Sequence, residues 1–256
     1  MRERPILFSG PMVLAILAAR KMQTRRLVTA LAGVGQITEF DRSDTNGYDW
    51  HFRNKRMLWN DVSDARVMSS CPHGCPGDRL WVRESFKPIA SGAIKGGKGD
   101  IRYGHAYQAD NVTIWRQGTT KITDLTGKHE SRKPMQFEER PWKPSIHMPR
   151  RASRILLEIT GLCLQRLQDI REAEILAEGV RIPVDQDGRV LIDISSPFAP
   201  VRYLPPGALA EKDLAIPNSL LLRAHFASLW DSLNFERASW DSNPFVWAIT
   251  FKRIEA

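Results

Sequence analysis

An amine and a hydroxyl lie three residues apart at Lys21 and Thr24, within Ala19-Arg20-Lys21-Met22-Gln23-Thr24-Arg25-Arg26. A base beside a hydroxyl is the minimum equipment for an activated threonine nucleophile. Val13, Ile16, Leu17 and Arg20 recur at helical spacing behind Pro11, which suits a first helical turn. Continued, that pattern puts Lys21 and Thr24 on the face begun by Val13 and Leu17, where they can meet side by side. The plainer reading is a helix end whose Lys and Arg side chains complement its dipole. A carboxylate is the third candidate. Arg79 to Phe86 alternates as a strand, with Leu80, Val82, Glu84 and Phe86 on one face. Glu84 on so apolar a face must be paired, hydrogen-bonded or neutral, and a structural ion pair is the competing explanation.

The octet resembles the Gly-x-Lys-x-x-Glu-x-Arg signature of ASCH domains, members of the PUA-like β-barrel superfamily. Lys21 and Arg26 match it, Ala19 replaces the Gly and Thr24 the Glu. The Thr variant is similar to small ASCH amidohydrolases that cleave N4-acetylcytidine with a Lys, a Thr and a later Glu. The whole chain further resembles phage and prophage proteins with ASCH-like cores and long insertions. What the resemblance implies is a catalytic set of Lys21, Thr24 and Glu84, with Arg26 on an anionic or carbonyl group of the substrate. The same reading implies no cofactor.

Further substrate contacts are expected from Ser9, Trp81, His147, Trp240 and Asn243. His147 could be a general acid or base, although a lone His between apolar neighbours more often packs or braces a loop. Ser239-Trp240-Asp241-Ser242-Asn243 could line a pocket mouth where the indole stacks on a base. Cys71, His73 and Cys75 invite a zinc reading, but no further ligands show matching spacing, and no metal is expected.

Composition narrows the class. Hydrophobic residues make up 42% and charged residues 26% of the 256 residues, as in an ordinary soluble globular protein. The formal charge of +8 favours a polyanionic partner: a nucleoside, a nucleotide or single-stranded nucleic acid. Three cysteines argue against a disulfide scaffold and fit the cytoplasm, which for a phage protein is the host's. Met12 to Ala19 is too short to span a bilayer, so no membrane is expected.

The elements that must position these residues read as one α+β domain over 1–256, a PUA-like barrel with flanking helices. Its core pieces are about 4–28, 77–90, 142–180 and 218–256, with insertions at about 29–76, 91–141 and 181–217. Ile155, Leu157 and Ile159 alternate as a strand broken at Gly161 in a way that suggests a bulge. Asp169 and Glu172 form a capping-box pattern before a helix over 170–178, which Gly179 ends. Asn218 caps a helix with an apolar face of Leu222, Phe226, Leu229 and Leu233, and Phe245, Trp247, Ile249 and Phe251 mark the last strand. The first insertion reads as loop packed over the core. The second suggests one or two strands near Tyr103, Tyr107 and Val112–Trp115, then a basic stretch from Lys121 to Lys133. Solvated loop is the default for that stretch, and a nucleic-acid contact is the sharper alternative. The third insertion is proline-rich, with a hairpin turn at Asp187-Gly188.

Overall fold

The computed structural model describes residues 1–91, 94–95, 98–115, 120–122, 141–183, 186, 200 and 218–255, with 91, 94–95, 98–101, 120–122 and 218 as backbone only. The first strand, β1 (Glu3–Leu7), leads into α1 (Gly10–Leu17), which starts with Pro11 in its first turn and buries Val13, Ala15 and Ile16. The helix then stops earlier than its apolar spacing suggests. Ala19 takes φ 53°, and Arg20 N donates back to Ala15 O at 2.8 Å. Lys21 and Thr24 are therefore not on one helical turn, and Thr24 belongs to the next strand, β2 (Gln23–Leu27). A left-handed helix stop suits glycine, and an L side chain there is strained by about 1–2 kcal/mol. Part of that is offset by glycine's greater freedom in the unfolded chain. Ala19→Gly is accordingly expected to stabilise the protein by about 0.5–1 kcal/mol in urea unfolding, and a loss of stability would contradict this account.

The 29–76 segment is not a loop. It holds an antiparallel meander of β3 (Ala30–Leu31), β4 (Gly35–Arg42), β5 (Trp50–Asn54) and β6 (Trp59–Val62), followed by α2 (Asp64–Ser69). Its strands are largely exposed and polar, which hides their alternation. Leu31, Trp50 and Phe52 are the exceptions, and they enter the main core. Trp50 packs edge-on against Phe245 at 5.1 Å between ring centroids.

Next come β7 (Arg79–Arg83), β8 (Phe86–Ser91), β9 (Ile94–Lys95), β10 (Lys98–Tyr107), β11 (Thr113–Trp115) and β12 (Thr120–Ile122). The last five of these form a sheet centred on β10, and its strands include the ones expected near Tyr103 and Val112–Trp115. Within the basic stretch, Lys128, Arg132 and Lys133 lie outside the described residues, as does Asp187-Gly188. The chain closes with β13 (Leu156–Arg166), α3 (Glu172–Ala177), α4 (Asn218–Asn234) and β14 (Phe245–Ile254).

The main sheet runs β1-β7-β13-β14-β2, parallel only between β1 and β7. Its register shifts between Ile159 and Gly161, where the sequence suggests a bulge. β14 is central and covered on both faces. Trp247, Ile249 and Phe251 point into the larger core with Ile6, Val13 and Leu80, while Val246 joins Phe226, Trp230 and Ile175 in a second core. Each such side chain contributes roughly 1.5–3 kcal/mol by leaving water. Trp230 takes the inward position expected of Leu233, which is 55% exposed. The cap of α3 also differs from the Asp169/Glu172 pattern, since Glu174 Oε2 accepts from Arg171 N at 2.9 Å. The architecture is α+β, mostly sheet with few helices. Among the described residues no helix is long and apolar enough to cross a membrane.

Candidate functional site

After the left-handed Ala19, Met22 N donates to Ala177 O and Phe251 N to Met22 O, so the chain is stitched between α3 and β14. Lys21 is thereby held under the end of α3. Its Nζ donates to Glu178 O at 2.9 Å and to Glu178 Oε2 at 2.6 Å, and its side chain is 0% exposed. Glu178 also meets Arg25 at 3.3 Å, while Arg25 reaches Glu174 at 3.1 Å and Gln23 at 2.8 Å. An acid at a helix C-terminus opposes the helix dipole. Two buried cations offset that here. Gly179 makes the close approach possible: it has φ +87°, and a Cβ there would stand 3.2 Å from both Ala15 Cβ and Lys21 Cβ.

Beside this cluster lies a cavity of ≈ 520 Å³. Thr24, Arg25, Arg26 and Glu178 line one side, with Phe8 and Ser9 next to them. Phe226, Leu229, Leu233 and Arg237 from the region of α4 form the opposite wall, and His73 and Ser145 contribute from two loops. Thr24 is buried, yet its hydroxyl makes no hydrogen bond among the described residues. Lys21 is sealed behind this wall and bonds Glu178 rather than Thr24. Arg26 Nη2 donates to Leu7 O at 2.6 Å, linking the two edge strands of the sheet. Among the described residues no carboxylate comes within ion-pair distance of Arg26, whose buried Nε has no partner.

Burial is the largest influence on Lys21 and holds its amine below the usual lysine range, against the raising effect of Glu178. Burial likewise depresses Arg26, which stays a cation. His73 is pushed down to about 4 by burial, then by Arg26 and Arg4, so its imidazole is neutral near pH 7. Lys21, Arg25 and Arg26 face Glu174 and Glu178, leaving Arg26 as a surplus cation on the cavity wall. Such a wall suits an anionic or carbonyl-bearing ligand.

Lys21, Thr24, Arg26 and Ser9 are thus grouped at one place, with Lys21 behind the surface. Glu84 is not part of it. Its two carboxylate oxygens accept from Arg154 Nε and Nη2 at 2.8 and 2.9 Å, and no hydrogen bond joins it to Lys21 or Thr24. The carboxylate that Lys21 meets is Glu178. Trp81 does not line the cavity and lies under Arg83, 5.0 Å from its ring centroid. His147 is exposed, and its neighbour Ser145 lines the cavity instead. Trp240 packs edge-on against Phe226 in the second core. Asn243 braces a turn, with Oδ1 accepting from Gln168 N at 2.8 Å.

Sequence reasoning missed Glu178, Arg25 and His73. Glu178 carried a signal, since an acid just before a helix-ending glycine has the wrong sign for its position. His73 did not, because nothing local shows that its loop faces Thr24. Cys71 is buried and its thiol is pushed up to about 11 by that burial. Among the described residues no group of three His, Cys, Asp or Glu is placed to hold a metal ion. Comparison with protein families, curated proteins and solved structures finds no match to this chain.

Proposed function

We propose that the cavity binds a nucleobase and hydrolyses an acyl group from its exocyclic nitrogen, with N4-acylated cytidine as substrate. The observation that carries this reading is the Thr24 hydroxyl, without a hydrogen bond among the described residues and on the wall of a cavity that also holds Arg26, Glu178 and a neutral His73. The resemblance of the octet to the ASCH amidohydrolases supports it, and with it the assignment of the main sheet to the PUA-like class. Thr24 Oγ attacks the amide carbonyl and forms an acyl ester as the carbon–nitrogen bond breaks. The hydroxyl proton passes to a neutral base and then to the departing cytosine amine. Burial of Lys21 favours its neutral form, which qualifies it as that base once it turns from Glu178. Water then cleaves the ester and releases the carboxylic acid. Arg26 holds a substrate oxygen.

The second reading is a non-catalytic nucleobase or RNA/DNA-binding module. It draws on the Lys21 hydrogen bonds, both of which go to Glu178 and neither to Thr24. Turnover of N4-acetylcytidine separates the two. The hydrolase reading expects turnover by the wild type and a loss of about 100-fold or more in Thr24→Ala. An inert wild type, or full activity in Thr24→Ala, rejects it and leaves the binding module.

A further inference from the structure

The β5–β6 hairpin ends in a tip, residues 54–59, that the cavity chemistry does not use. Asn54 builds it: Oδ1 accepts from Arg56 N at 2.9 Å and from Leu58 N at 3.2 Å, and Met57 N donates to Asn54 O. Arg53 Nε donates to Met57 O at 3.1 Å, so the tip is held from both sides. Yet this rigid turn displays Met57, Leu58 and Trp59 at 53%, 59% and 52% exposure. One side of the Trp59 ring carries His51, at 4.6 Å between centroids, and Arg53 lies 5.7 Å from it. About half of the Trp59 surface nonetheless stays exposed. Lys55 and Arg56 are exposed beside it and have no ion-pair partner among the described residues.

The place of the tip matters as much as its chemistry. Thr29 lines the cavity, Ile37 N donates to Thr29 O at 3.1 Å, and Ile37 stands opposite Asn54 in the β4–β5 ladder. Two strand spacings, roughly 10 Å, therefore separate the cavity rim from the base of the tip. That is about three nucleotides of a stacked strand at 3.4 Å each. A half-exposed indole is a stacking surface for any base, and adjacent cations suit a backbone of phosphates.

We propose that residues 53–59 form a binding platform for single-stranded nucleic acid, so that the base entering the cavity belongs to a strand and is not a free nucleoside. A flanking base stacks on Trp59, and Lys55 and Arg56 contact phosphates. The inference rests on the cavity being a nucleobase site. It commits to a strand over a lipid surface because the apolar display is only three residues wide and stands roughly 10 Å from the cavity rim, a span a strand can bridge.

The test is fluorescence anisotropy of the full chain with a labelled eight-residue oligocytidine across a salt series. Trp59→Ala is expected to weaken binding by about 5- to 100-fold, with Trp59→Phe restoring most of it. Lys55→Ala with Arg56→Ala should flatten the log–log salt slope by about 0.7 for each phosphate contact removed. Oligonucleotide binding that is absent, or indifferent to both sets of changes, overturns the proposal. So does binding to phosphatidylserine vesicles that Trp59→Ala abolishes while the oligonucleotide goes unbound. Tip-dependent strand binding by a protein that turns over no acetylcytidine supports the platform and rejects the hydrolase, so the two readings fail separately.

Discussion

Arg154→Leu is expected to lower folding stability by about 3–5 kcal/mol at neutral pH. Arg154 holds two carboxylates at once, Glu84 at 2.8 and 2.9 Å and Asp110 at 2.8 and 3.0 Å, and it lies 4.1 Å from the centroid of the Tyr107 ring. Glu84 is 1% exposed, so removal of the guanidinium leaves a charge with neither water nor a partner. A buried pair of this kind is weak evidence of net stabilisation, but breaking it from one side is costly. Urea unfolding at neutral pH is the measurement that reads this deficit. A difference from wild type under about 1 kcal/mol at pH 7 would remove Arg154 as the keystone of this cluster.

Glu178→Gln should cost a similar amount, about 3 kcal/mol or more, with a pH signature set by Lys21. Arg25 keeps Glu174 and Gln23, whereas Lys21 loses the one carboxylate it touches. Burial already depresses the Lys21 amine, and loss of the Glu178 charge lowers it further. Unfolded lysine titrates near 10.4, so between the folded pKa and that value the unfolded chain carries the extra proton. Stability of the variant therefore rises with pH, and its deficit against wild type should narrow between pH 7 and 9.5. A deficit that stays constant or widens over that range would show that losing Glu178 does not lower the Lys21 amine further within it.

The strands that build the sheet were legible because burial leaves a period. Ile155, Leu157 and Ile159 alternate up to the bulge, and in the last strand the large side chains of Phe245, Trp247, Ile249 and Phe251 recur on one face. α4 was legible through Leu222 and Phe226. The meander was not, because most of its residues are exposed and only Leu31, Trp50 and Phe52 of its strands are buried in the core. Lys21 and Thr24 were found by type and spacing, but for a mistaken reason. A helix was read through Ala19, whose left-handed backbone no side-chain pattern reveals. Glu84 was rightly read as a carboxylate in need of a partner. Its partner, Arg154, lies 70 residues away and has no local mark. Glu178 and Lys21 are 157 residues apart and meet only through the placement of α3.

The position of β2 at the edge of the main sheet sets when a site can exist during folding. Its one ladder partner among the described residues is β14, and the Gln23 side chain bonds to Thr250, 227 residues along the chain. Closing so long a loop costs chain entropy before any contact repays it, which places this pairing among the late and slow events. The residues around Thr24 are thus synthesised early and organised late. A nascent chain carries the octet without the cavity, and whatever the cavity binds can act as a selective ligand of the finished fold alone.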